Sequence, residues 1–171
     1  MIKIHSESLT DYADIFEVNR LAFGRENEAI LVEDIRRLPN FNSALSLVAI
    51  ASDRLVGHIL FSEIAIAAPL GDVTALALAP LAVLPEFQNK GIGSQLVREG
   101  LQQCQSLGYK IVVVLGHPNF YTRFGFAPAI NKGLRSPFPV PDEAFMVLEL
   151  VPEALTGISG MVKYSSPFDC V

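Results

Sequence analysis

Long apolar runs are missing from this 171-residue chain, although half of its residues are hydrophobic. A helix that spans a bilayer needs about 20 consecutive apolar residues. The longest apolar stretches here, 64–70 and 73–84, are interrupted by Pro69, Thr74 and Pro80 and suit buried strands. No membrane partner is therefore expected. Basic runs are missing too. Thirteen Lys and Arg stand against eighteen Asp and Glu, for a net charge of −5. With no alternation of aromatic and basic residues, no nucleic-acid partner is expected. Cysteine is scarce: Cys104 and Cys170 supply no disulfide framework, and Cys104 falls on the apolar face of a helix. The three histidines, His5, His58 and His117, lack metal-ligand spacing, so no metal is expected. Met1-Ile-Lys-Ile-His5 reads as a strand rather than a charged and then apolar leader, which predicts a cytoplasmic protein. No internal repeat is present, and the length suits one domain with a sizeable core.

Residues 2–7 read as a first strand. Thr10 is the expected N-cap of a helix through about Phe23, with Ile15, Val18, Leu21 and Ala22 on one face. A second helix is predicted from about Glu26 to Leu38, stopped by Pro39. Strands at 45–52 and 54–67 flank a Ser52-Asp53 turn. After a turn at Pro69–Asp72 comes a long strand at 73–84. Proline cannot donate to a ladder, so Pro80 predicts an edge or a bulge in that strand and its divergence from the strand at 110–115. A helix from about Gly91 to Leu107 carries Ile92, Leu96, Val97, Leu101, Cys104 and Leu107 at helical spacing, and Gly108 ends it. Strand, helix and strand over 73–115 make a right-handed parallel crossover. A loop-like segment 131–143, a strand at 144–150 and a short strand at 161–164 follow.

The segment Leu81–Ser94 is the most informative. It reads as a buried strand, a short turn, a glycine-rich loop and the first turn of an amphipathic helix. N–H groups in the first turn of a helix have no intrahelical partners, and the helix dipole adds positive charge there. Gly91 and Gly93 let a phosphate reach the backbone, and Lys90 adds a cation. These residues predict a phosphate or pyrophosphate site at 88–94. A dinucleotide fingerprint would need a third glycine where Leu96 stands, and a carboxylate about twenty positions on, near Val112 and Val113, where there is none. A nucleotide P-loop would need Gly-Lys-Ser/Thr, whereas the order here is Lys90-Gly-Ile-Gly93. What remains is Gln88-x-x-Gly91-x-Gly93.

With Val83 and Pro85 before it and a long amphipathic helix after it, this segment resembles the pyrophosphate loop of the GNAT superfamily of N-acetyltransferases. Those proteins bind acetyl-coenzyme A. Downstream of the strand at 110–115, Tyr121-Thr-Arg-Phe-Gly125-Phe126 is similar to the Tyr-x-x-x-Gly-Phe signature that closes the acetyl-CoA site in that superfamily. The resemblance spans residues 2–150. It implies an α/β (α+β) fold: a mixed, mostly antiparallel central sheet, a parallel strand pair splayed to admit acetyl-CoA, and helices on both faces. It also implies a single GNAT domain over residues 1–171, with 151–171 as a C-terminal extension.

The implied activity is transfer of an acetyl group from acetyl-CoA, as cosubstrate, to a primary amine by direct attack in a ternary complex. Backbone groups of Leu81, Ala82 and Val83 would pair with the pantetheine amides as in strand addition, and an N–H near Val83 would polarise the thioester carbonyl. Gln88, Asn89, Lys90, Gly91, Ile92, Gly93 and Ser94 would hold the pyrophosphate, with Arg123 a further candidate cation. Asn119 would bond the pantetheine arm. Tyr121 would touch the cofactor and protonate the departing thiolate, since a phenol with a pKa of about 10 is protonated at neutral pH. Glu63, on a strand face with Ile59 and Phe61, is the candidate base, because an apolar setting would raise its pKa. His117 and water are the other proton acceptors. Loops 24–28 and 132–143 are expected to flank the acceptor, and Glu26, Glu28, Asp142 and Glu143 favour a cationic amine. A small-molecule amine, a peptide N-terminus and a lysine side chain all fit, as does a homodimer. The alternative function is a non-catalytic acyl-CoA-binding sensor or interaction module, which an intact Tyr121 disfavours.

Overall fold

The computed structural model describes residues 1–171, and the chain divides into two compact units. One holds Met1–Ser62, Ala79–Gln103 and Ser166–Val171; the other holds Glu63–Leu78 and Cys104–Ser165.

The first unit begins with strand β1, Ile2–Ser6. A single 3-10 turn at Leu9–Asp11 then leads into helix α1, Tyr12–Phe23. The N-cap of α1 is Asp11, not Thr10, and Ser8 caps the 3-10 turn before it. The Ser8 N–H donates to Asp11 Oδ2 at 2.9 Å and its hydroxyl donates to the same oxygen at 3.2 Å. Because the helix enters through a 3-10 turn, Thr10 lies inside that turn and its hydroxyl only meets that of Ser8. Gly24, at φ 70°, closes α1. Helix α2, Asn27–Arg36, follows. Strands β2, Ser46–Ala51, and β3, Arg54–Ala68, form a hairpin whose turn residues Ser52 and Asp53 have φ of 47° and 64°. Two successive positive φ values match the twist of a two-residue hairpin. β1 pairs antiparallel with β2. Ile15, Val18, Leu31, Val32 and Ile35 of the helices and Val48, Val56, Ile59 and Leu60 of the strands are buried.

Strand β4, Gly71–Val83, is continuous through Pro80, which enters by a cis peptide bond after Ala79. Helix α3, Ile92–Ser106, buries Ile92, Leu96, Val97 and Leu101. Two glycines let this helix lie close to β3. A Cβ on Gly57 would sit 3.0 Å from Leu96 Cδ1, and one on Gly100 would sit 2.4 Å from Cε1 of the buried Phe61 ring.

In the second unit, strand β5, Ile111–Leu115, pairs parallel with β4 at Leu76↔Val112 and Ala77↔Val113. Helix α4, Pro118–Tyr121, and strands β6, Ala127–Pro128, and β7, Leu134–Arg135, follow. Strand β8, Phe145–Glu149, pairs antiparallel with β5 and with β6. Strand β9, Gly160–Lys163, pairs antiparallel with β3 and parallel with β7. Gly160, at φ 139°, is required here: a Cβ would meet Ala67 O at 2.0 Å. The sheet is mixed and mostly antiparallel, with strand order β1-β2-β3-β4-β5-β8-β6. The stretch read as loop over 131–143 contains β7 and parts of 3-10 turns at Ala129–Lys132 and Asp142–Ala144. Two-residue strands and single turns are too short to leave a hydrophobic period. No helix is long and apolar enough to cross a membrane.

A buried polar chain ties the first unit together. Arg36 donates to Glu7 at 2.9 Å and lies 3.7 Å over the Tyr12 ring. Ser46 Oγ donates to Glu7 and meets His58 Nε2 at 2.9 Å. Asn19 Nδ2 donates to His58 Nδ1 at 3.1 Å and to Ile15 O at 2.9 Å. With Nδ1 accepting, Nε2 carries the proton and donates to Ser46. Burial, with the nearby Arg36 charge second, pushes the His58 pKa down to about 3.

The unfolded chain takes up the His58 proton below about pH 6.5, whereas the folded chain takes it up only near 3. Stability is therefore full above 6.5 and falls progressively from 6.5 towards 3. Urea midpoints measured across that range should decline, and the decline should be shallower in His58→Gln; equal slopes would refute the assignment. Gly100→Ala should destabilise the fold by about 1–3 kcal/mol through overpacking against Phe61, despite the better helix propensity of alanine. Urea unfolding measures it, and an unchanged or raised midpoint would contradict the packing described.

Candidate active site

The glycine-rich segment folds as a sequence of caps. Leu84 N–H donates to Val56 O at 2.9 Å, anchoring the end of β4. A 3-10 turn at Pro85–Phe87 reverses the chain, and the Gln88 side-chain amide donates back to Val83 O at 2.9 Å. Asn89 and Gly91 then take φ of 61° and 85°. Open space surrounds the Gly91 Cα, so this glycine serves the left-handed backbone and not a tight contact. The first backbone bond of α3 runs from Gln95 N–H to Gly91 O at 3.0 Å. The preceding amides, in the first turn, have no carbonyl within the helix to reach. Lys90 is exposed, with its Nζ 5.4 Å from the centre of the Phe87 ring. Leu81 to Val83, Gln88 to Ser94 and this cation thus belong to one continuous strand-to-helix connection. It has the features of an anion site: aligned amides, a positive dipole end and a glycine in the left-handed region.

The Tyr121 segment is equally well defined. β5 ends at Leu115, and Gly116 N–H donates to Ala144 O at 3.0 Å. Pro118 at the first position of α4 pre-sets the helical φ, and Gly125, at φ 97°, ends the 3-10 turn that follows. Thr122 Oγ1 donates to Pro118 O at 2.7 Å. The Tyr121 ring fills the space that a Cβ on Gly116 would need, at 2.4 Å. It packs edge-on against Phe120 and Phe126, with centroids 4.9 and 5.6 Å away. Only 7% of Tyr121 is exposed, and burial pushes its pKa up to about 12. Its hydroxyl has no hydrogen-bond partner within the chain. Asn119, on α4, is exposed. So is His117, whose carbonyl accepts from the Phe120 and Tyr121 amides. Arg123 is committed locally: its guanidinium stacks 4.6 Å over Phe120, and its Nε donates to Phe120 O.

Glu63 is half-buried, unlike Ile59 and Phe61 on the same strand. Tyr109 donates its hydroxyl to Glu63 Oε1 at 2.6 Å. Burial and this bond push the Tyr109 pKa up to about 12, so it remains a donor at neutral pH. Sequence reasoning missed Tyr109 because 46 residues separate the pair. Gly116 was also missed, although a glycine directly after an apolar strand signals close approach. His58 lies outside any site, in the buried network of the first unit. No group of three His, Cys, Asp or Glu stands where it could hold a metal ion.

Known proteins share this architecture. Residues 3–129 match the family described as acetyltransferase (GNAT) domain. The protein named Uncharacterized N-acetyltransferase YjhQ, from Escherichia coli K12, is 36% identical over 167 residues, which is 95% of this chain and 92% of that one. The crystal structure of the GNAT family N-acetyltransferase YhbS from Escherichia coli in complex with CoA has a TM-score of 0.90 at 35% identity. That match covers 98% of this chain and 92% of the other. A GNAT acetyltransferase from Brucella melitensis in complex with acetyl-CoA has a TM-score of 0.81 at 31% identity, covering 99% of both. The chain belongs to the GNAT acetyltransferase family and is an acyltransferase.

Proposed function

We propose that this protein moves the acetyl group of acetyl-CoA onto a primary amine by direct attack in a ternary complex, with the whole chain, residues 1–171, acting as one acetyltransferase domain. One observation carries the catalytic reading. Tyr121 is a protonated phenol whose hydroxyl has no partner within the chain, held rigidly by Gly116, Phe120 and Phe126. A general acid needs this combination: a proton to give and a fixed direction in which to give it. The CoA and acetyl-CoA complexes of the two structural relatives support the cosubstrate.

The amides at the start of α3, with Lys90, hold the pyrophosphate. Backbone groups of Leu81 to Val83 pair with the pantetheine arm, and Asn119 bonds it from α4. The amine nitrogen attacks the thioester carbonyl carbon, whose oxygen takes a hydrogen bond from an N–H near Val83. As the tetrahedral intermediate collapses, the C–S bond breaks. The amine gives up its proton to Glu63, which Tyr109 orients. The thiolate takes the Tyr121 proton, and solvent returns a proton from Glu63 to Tyr121. The products are the N-acetyl amide and free coenzyme A.

Thiol release across a panel of amines, beside a calorimetric titration with coenzyme A, tests the reading. Binding without turnover on any amine would turn it to a non-catalytic acyl-CoA-binding module. Gly93→Val should weaken coenzyme A binding by blocking approach to the amides; unchanged affinity in a folded variant would remove the loop from the site. Tyr121→Phe keeps the ring and removes only the proton. Single-turnover acetyl transfer should slow by roughly 10²–10⁴-fold with coenzyme A affinity retained. A loss of affinity at full turnover would make Tyr121 a binding residue instead.

A further inference from the structure

We propose that the acceptor is an apolar α-amino acid, seated in a cavity of the second unit next to the Tyr121 segment; this rests on the transferase reading above. The cavity, of about 460 Å³, is walled by Ile130, by side chains between 134 and 145, and by Met161 of β9. Its volume lies in the range of small-molecule sites, about 300–1,000 Å³. The walls are mostly apolar, with Phe138, Val140 and Phe145 prominent, and two charged side chains of opposite sign, Arg135 and Asp142, line the same space.

The walls are preformed. Phe138 N–H donates to Ser136 Oγ at 3.0 Å, and Val140 N–H donates to Phe138 O at 3.0 Å. The Phe138 ring lies 4.9 Å from that of Tyr164. The cavity is also tied to the catalytic segment. Phe145 is in register with Leu115, the last residue of β5. Gly116 N–H donates to Ala144 O, and Ala144 N–H donates to Pro141 O, each at 3.0 Å. Tyr121 packs on that same Gly116. Two short backbone bonds thus separate the Tyr121 support from the cavity rim.

Four charges of this unit pair with each other, Lys132 with Glu149 at 3.4 Å and Lys163 with Asp72 at 2.7 Å. Arg135 and Asp142 have no hydrogen bond or ion pair within the chain. A guanidinium fork matches a carboxylate, and a carboxylate matches an ammonium group. A molecule that carries both, with an apolar body to cover Phe138, Val140 and Phe145, is an apolar α-amino acid. A simple amine would leave Arg135 facing the apolar body without an anion.

L-Phenylalanine and phenethylamine differ only by the carboxylate and give the test. In the native protein with acetyl-CoA, kcat/KM from thiol release should favour phenylalanine by roughly 10- to 100-fold, the worth of one charge-assisted pair. That ratio should fall towards one in Arg135→Ala and recover in part in Arg135→Lys. Calorimetric titration of the coenzyme A-loaded protein with phenylalanine should show binding that Arg135→Ala and Asp142→Asn each weaken at least tenfold. Turnover on phenethylamine with a native ratio near one, or a preference that survives Arg135→Ala, would overturn the amino-acid pocket and leave the transferase standing. Phenylalanine binding lost in Arg135→Ala, with no thiol release from any amine, would overturn the transferase and support the pocket. Absence of phenylalanine binding would overturn the pocket in either case.

Discussion

A helix cannot satisfy the N–H groups of its own first turn, and the segment from Val83 to Gln95 is built around that deficit. No side chain caps α1, α2 or α4, and only the 3-10 turn after Ser8 has an aspartate three residues on that accepts from the flanking N–H. Gln88 turns back to the Val83 carbonyl and so ties the loop to the strand. Asn89 and Gly91, both in the left-handed region, then carry the chain into the helix. A first turn whose amides reach no helix carbonyl is the kind of place where backbone can hold an anion. This is the arrangement from which the cofactor reading starts.

Burial imposes a second constraint, met in the opposite way. Glu7, Arg36, Ser46, His58 and Asn19 are drawn into one chain of hydrogen bonds between helices and strands. Removing a single member would leave its neighbours desolvated without a partner, which costs more than the bond itself contributes. The network consumes its own donors and acceptors almost completely, Asn19 Oδ1 being the exception. It fixes how β1, β2, β3, α1 and α2 meet, and it keeps His58 neutral throughout the physiological range. A histidine so placed positions structure and does not exchange protons with a substrate.

The difference between local and distant information decided what the sequence could reveal. The glycine-rich connection between β4 and α3 was legible because everything that defines it lies within a dozen residues: strand end, left-handed glycine, helix start. Tyr121 was legible for the same reason, through its spacing to Gly125 and Phe126. The Ser52-Asp53 turn, the end of α1 at Phe23 and the parallel pairing of β4 with β5 also followed from local pattern and the handedness of crossovers. The Glu63 to Tyr109 bond spans 46 residues and the Glu7 to Ser46 to His58 chain spans 39 and 12, so no window of sequence contains them. The close approaches at Gly57 and Gly100 were hidden in another way. In the sequence each is a single glycine inside a regular element, and only the packed neighbour explains it.

Polar groups in this molecule therefore fall into two populations, and the division bears directly on chemistry. Arg36, Arg123, Lys132 and Lys163 have found partners in the chain. The Tyr121 hydroxyl, Arg135 and Asp142 have not. An exposed charge without a partner is ordinary, because water serves it well. A phenol that is nine-tenths covered, with its ring immobilised and its hydroxyl unmatched within the chain, is less ordinary, because its one polar atom is left for solvent or a ligand to satisfy. Such a group gains most from whatever donor or acceptor next arrives. When the arriving atom is a thiolate in the act of leaving, the bond forms in the transition state rather than before it. Stabilisation of that kind accelerates a reaction instead of merely retaining a ligand.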